Sequence, residues 1–163
     1  MRFRCLMGAL LLAMAAAQAQ VPADDPDWRE VEAPPAPALK VDGLIPLDVG
    51  GSALRFGIDP SSITLGEDGI VRYVVVATSN SGVVNAIYEG IRCDNGQVKV
   101  YARHNPSVGW VVVKQPQWRP VSEQGYSNSI ARAGACVGRA ANRSPARIVR
   151  DLRTPMERRY QLD

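Results

Sequence analysis

Between residues 54 and 114 apolar and polar positions alternate in short runs, broken by Gly, Asn, Asp and Ser, which is the pattern of strands joined by tight turns. The runs predict five strands, over 54–58, 70–78, 83–93, 97–103 and 110–114. In the fourth, Val98, Val100 and Ala102 fall on one side and Gln97, Lys99, Tyr101 and Arg103 on the other, so one face should be buried and one wet. The second run, IVRYVVVAT, is apolar on both sides except at Arg72 and should lie in the middle of the sheet. Ser79 to Gly82 is of hairpin length, and Asn95-Gly96 suits a two-residue primed turn, so the strands should form an antiparallel meander. Gly90, inside the third run, predicts a bulge that brings Ile91 and Cys93 to the buried face.

After Trp118-Arg119-Pro120 the apolar spacing becomes helical. Ser127 or Ser129 is expected to cap a short helix carrying Ile130, Ala133 and Val137, with Cys136 near its end. Ser144-Pro145 announces a second helix, a cap followed by proline in the first turn, with Ile148, Val149 and Leu152 as its apolar stripe. The expected fold class is α+β: an antiparallel sheet of about five strands with C-terminal helices packed on one face.

The N-terminus departs from both periodicities. Arg2 and Arg4 precede an apolar run, Leu6 to Ala17, that ends in Ala17-Gln18-Ala19, the order of a secretory signal peptide with cleavage after Ala19. The run is too short for a permanent membrane helix, and Cys5 would leave with the signal. A periplasmic or secreted location is therefore expected. Cleavage would leave 144 of the 163 residues, enough for one domain: a Pro- and acid-rich extended segment over 20–43 and a folded unit over 44–163. Trp28 in that segment reads as loosely held. Charge divides the mature chain, with 9 basic and 13 acidic residues over 20–131 but 8 basic and 3 acidic over 132–163.

The stretches SSITLGEDGIVRYVVVATSNSG, YEGIRCDNGQVKVYA and WRP resemble the CNP-like (cryptic neisserial protein-like) family of uncharacterised exported bacterial proteins. The resemblance runs over about 54–121, and GEDGIVRY, YEGIRC and QWRP are its most specific pieces. It implies an exported domain with a second cysteine in a C-terminal helix. Family members tend to carry aromatic residues before that cysteine, whereas this chain has ARAGACVG.

Two cysteines in an exported domain of this size are read first as a disulfide, and without Cys5 the only pairing is Cys93 with Cys136. A redox centre would more often show a C-x-x-C pair. His104, the single histidine, has no metal-binding companions in the sequence and reads as an exposed loop residue. The GYSNS segment around Ser127 and Ser129 lacks the G-x-S-x-G spacing of a nucleophile turn. Glu67 and Asp68 in GEDG should point apart in a turn and stay solvated. With no converging acid, base and nucleophile, a non-catalytic interaction or envelope-support role is expected, without metal or cofactor; a small hydrolase would require hidden geometry around Ser127 or His104.

Two binding features stand out. Tyr101, Trp110 and Trp118 fall on neighbouring strands and could line an aromatic groove for sugar or peptide, although rings in a small β domain more often complete its core. Arg147, Arg150, Arg153, Arg158 and Arg159 could meet an anionic membrane surface. The expected partners are thus an envelope protein, a glycan or anionic lipid, and export argues against nucleic acid.

Overall fold

The computed structural model of the chain describes residues 27–122 and 125–154. The signal segment, the cleavage site after Ala19, Arg158 and Arg159 lie outside the described residues. Eight strands form one antiparallel sheet: β1 Ile45–Leu47, β2 Arg55–Ile58, β3 Thr64–Leu65, β4 Ile70–Thr78, β5 Val84–Arg92, β6 Gln97–Asn105, β7 Gly109–Val112 and β8 Arg119–Pro120. The order is β1-β2-β4-β5-β6-β7, with β3 also paired to β4 and β8 to β6. All five expected strands are present, and β4, apolar on both sides, lies in the interior of the sheet. The expected meander is the run β4-β5-β6-β7. At one turn the geometry differs from expectation. Gly96 has a positive φ of 60° but Asn95 does not, so β5 and β6 are joined by the longer loop 93–96.

The helix-side face carries Val71, Tyr73, Val75, Ile91 and Cys93, packed against Ile130, Ala135, Ile148 and Leu152. The last four come from α1 Tyr126–Ile130, the π turn Ala131–Ala135 that continues it, and α2 Pro145–Arg153. Ser144 caps α2 as expected, its Oγ accepting the Arg147 N–H at 3.3 Å. No serine caps α1: its N-cap is Gly125, and Ser127 and Ser129 lie inside the helix. The small residues before Cys136 have a packing role. A Cβ on Gly134 would stand 3.0 Å from the Ile148 carbonyl oxygen, so only glycine lets α2 approach this closely. Cys136 opens a two-stranded ribbon, β9 Cys136–Val137 with β10 Ala140–Ala141, and is disulfide-bonded to Cys93 across 43 residues.

The opposite face is not wet. Val74, Val76, Ala86, Tyr88, Tyr101 and Ala102 form a second apolar cluster, covered by Ala33, Ala36, Leu39 and Leu44. Residues 27–43, which contain no helix or strand, lie across the sheet as a strap. The alternation expected for β6 breaks at a bulge: Tyr88 pairs with Ala102 and Glu89 with Val100, leaving Tyr101 as the extra residue. The bulge lies beside Gly90, but the added residue is in β6 rather than β5. Tyr101 and Ala102 therefore share the strap side. Gly90 makes room for this, since a Cβ there would meet the Tyr101 ring at 3.0 Å.

Candidate functional site

Polar side chains are sorted by face. On the helix side Glu89 is 1% exposed and accepts three hydrogen bonds, from Tyr73 Oη at 2.6 Å, Tyr126 Oη at 2.9 Å and Ser127 Oγ at 3.0 Å. Burial raises the Glu89 pKa above the usual carboxylate range, against the lowering effect of the three hydroxyls and of Arg103. The same burial, reinforced by the nearby carboxylate, raises Tyr73 and Tyr126. Each hydroxyl of this cage, that of Ser127 included, donates to Glu89. Ser129 Oγ donates to the Asp48 carbonyl oxygen at 2.9 Å.

On the strap side the central pair is Arg72 with Asp68, 2.6 Å apart, with side chains 3% and 0% exposed. The expectation of a solvated Asp68 is therefore wrong. Its carboxylate accepts Arg72 Nη1 and Nη2 and the backbone N–H groups of Ile70 and Val31. Burial pushes the Asp68 pKa up, but the Arg72 and backbone donors outweigh it and hold the carboxyl below its usual value. Arg72 also donates to the Val31 carbonyl oxygen at 2.9 Å, and its guanidinium carbon lies 5.6 Å from the Tyr101 ring centroid. Its Nε is buried without an acceptor.

Around this pair the strap is received at successive points. Trp28 Nε1–H donates to the Asp68 carbonyl oxygen at 2.9 Å, while the Trp28 ring lies under the Arg92 guanidinium at 3.7 Å and edge-on to Trp118 at 6.2 Å. Trp28 is thus firmly docked, contrary to the loose placement expected. Glu30 takes Lys99 Nζ at 2.5 Å, Tyr101 Oη at 2.9 Å and Trp118 Nε1 at 3.1 Å. Farther along, Trp110 Nε1–H donates to the Pro37 carbonyl oxygen at 2.7 Å. His104, half-buried in β6 rather than in a loop, meets the Trp110 ring edge-on at 5.3 Å.

Of the three expected groove aromatics, Tyr101 and Trp118 come together on Glu30, whereas Trp110 stands apart at Pro37. All three are engaged by the chain's own strap. Sequence reading missed Glu30, Lys99, Asp68 and Arg72 as members of this constellation. A lone arginine in an apolar strand, four residues after an aspartate, was the available signal.

The basic residues form another surface. Arg147, Arg150 and Arg153 are exposed on α2, and Arg139 and Arg143, which precede the helix in the chain, are exposed as well. Arg150 pairs with Asp151 at 3.1 Å, and with Arg153 it occupies the last turn, where a cation opposes the negative end of the helix dipole. A shallow cleft of about 240 Å³ lies between Trp28, Asp68, Asp94 and Arg139, beside the disulfide. Among the described residues no three His, Cys, Asp or Glu side chains gather closely enough to hold a metal ion.

Comparison with the curated proteins and with the solved structures returns no match. A family model does match, over residues 23–153, a span that takes in the strap, the whole sheet and α2. The chain belongs to the CNP1-like family.

Proposed function

We propose that this protein is a non-catalytic interaction domain of the cell envelope that rests on an anionic surface through the outer face of α2. The supporting observation is the run of exposed arginines at 147, 150 and 153, at three-residue steps on α2. The polar groups best suited to chemistry, Glu89, Tyr73, Asp68 and Arg72, are buried and committed to hydrogen bonds within the fold. Export, expected from the N-terminal sequence, would bring the arginines within reach of anionic headgroups, where each basic side chain contributes about 1 kcal/mol near the surface.

Vesicle sedimentation tests the reading. The mature chain should bind vesicles containing phosphatidylglycerol and leave neutral phosphatidylcholine vesicles unbound, and salt should weaken binding because the attraction is screened over about 8 Å at physiological ionic strength. Changing Arg147, Arg150 and Arg153 together to Gln should weaken it by at least tenfold. Equal binding to neutral vesicles, or binding to neither kind, would refute the proposal.

A further inference from the structure

The strap is laid down with a period of three. Trp28, Glu30, Ala33, Ala36, Pro37 and Leu39 are its half-buried residues, four of them at three-residue steps from Glu30 to Leu39, while Arg29, Glu32, Pro35 and Ala38 face solvent. Three residues per turn is the repeat of a polyproline helix, and the sequence between Ala33 and Leu39 is APPAPAL. The receiving face has features that read such a segment. Trp110 offers its indole N–H to the Pro37 carbonyl, Trp118 its indole N–H and Tyr101 its hydroxyl to Glu30, and Lys99 supplies the matching charge. Indole donors and flat rings suit a proline-rich chain, which has few backbone N–H groups of its own and loses little entropy on ordering.

We propose that the strap-side face is a peptide-recognition groove for an extended acidic, Pro/Ala-rich segment of a partner protein, and that the chain's own residues 27–40 are its resident occupant. This goes beyond the arginine face and does not depend on it. Recognition requires a tryptophan for the slot between Arg92 and Trp118, a carboxylate two residues later for Lys99, and small apolar residues at three-residue steps after that. The own strap competes at an effective concentration in the millimolar range set by its tether, so a partner segment gains entry when the strap is weakened, cut or outmatched.

The probe is a fluorescein-labelled synthetic peptide of residues 27–40, titrated by anisotropy against the mature full-length chain and against the same chain carrying Trp28→Ala and Glu30→Ala. The peptide should bind the strap variant saturably and the wild-type chain at least tenfold more weakly. Adding Trp110→Ala to the strap variant should cost on the order of tenfold in affinity. A scrambled peptide of the same composition should not bind. The proposal fails if the strap variant, shown to be folded by its thermal melt, ignores the peptide or takes the scrambled one equally well. Should the strap variant not fold, a protease site inserted in the exposed loop 40–43 gives a second route. After cleavage the labelled peptide should exchange into the groove, and failure to exchange would refute the proposal. Wild-type dimers that dissolve on addition of the peptide would make a second copy the occupant and overturn the assignment to a separate partner.

Discussion

The two faces of the sheet are closed by different physics. On the helix side, a disulfide and a cluster of Ile, Val, Leu and Ala side chains hold α1, α2 and the sheet together, and the carboxylate of Glu89 is sealed among three hydroxyls. On the strap side a segment without helix or strand is fastened at a few points, by Trp28, Glu30, Val31 and Pro37, through indole, guanidinium and carboxylate contacts. Apolar burial and a covalent link make the first closure cooperative with folding. On the strap side the apolar cover of Ala33, Ala36, Leu39 and Leu44 is joined by separate polar contacts, some half-exposed, and we expect this closure to open while the sheet persists. The contrast predicts that the strap side opens at a lower free energy than the helix side.

The largest expected effect comes from Asp68→Ala, which breaks the strap-side ion pair whose side chains are 3% and 0% exposed. It would leave the Arg72 guanidinium without its carboxylate and two backbone N–H groups without an acceptor, a change that typically costs about 3 to 5 kcal/mol. Urea unfolding measures it, and a loss below about 1 kcal/mol would show that Arg72 finds another partner or water. Next in size is the pair Cys93→Ala, Cys136→Ala. Removing a native disulfide from a small domain typically costs about 2 to 5 kcal/mol, so the melting temperature should fall while the tryptophan fluorescence, to which Trp28 in its slot contributes, stays native below the transition. A changed tryptophan signal at low temperature would mean that the two closures are coupled.

Much of the helix-side closure was legible in the sequence, and little of the strap side. β-branched alternation marks β4, β5 and β6, Ser144-Pro145 marks the start of α2, and the two cysteines outside the expected signal permit one bond. These are local or arithmetical signals. The strap's contacts join Glu30 to residues 69 to 88 positions away, beyond any window in which periodicity is read. Its three-residue period does not register as helix or strand. Asp68 looked solvated because GEDG is a turn, and only the fold shows that Val31 and Trp28 cover it. The Tyr101 bulge moved Ala102 to the strap side, a shift that simple alternation across β6 cannot foresee.

The faces should also titrate with opposite sign. Asp68 is held below its ordinary value of 3.8, so its contribution is present above that pH and is lost as pH falls through the lower folded value. Glu89 is raised above 4.5, so the fold prefers its neutral form: stability from this site is complete below 4.5 and declines as pH rises through the folded value. Denaturant midpoints across pH 2 to 7 should therefore show a maximum at mildly acidic pH, and Glu89→Gln should flatten the upper limb alone. An unchanged upper limb would assign that slope to other groups.

The smallest effect is expected from Glu30→Gln. It removes the charge that meets Lys99 and leaves one acceptor oxygen where Tyr101 used Oε1 and Trp118 used Oε2, and pairs that retain solvent contact contribute about 0.2 to 1 kcal/mol. Global stability should hardly move, but the strap should open more often. A loss as large as that of Asp68→Ala would make Glu30 part of the core.

Native-state hydrogen exchange of the Val31 amide tests the separation of the two closures most directly. That N–H is bonded to the Asp68 carboxylate at 3.0 Å and reports the strap alone, whereas the Val74 amide, bonded to Ser62 Oγ at 2.8 Å, reports the buried sheet. Val31 should exchange through a local opening whose free energy lies well below that of global unfolding and stays the same when the disulfide is absent, while Val74 should follow global unfolding and fall with the disulfide. Exchange of Val31 at the global free energy, falling in step with Val74 in the cysteine variant, would contradict the account.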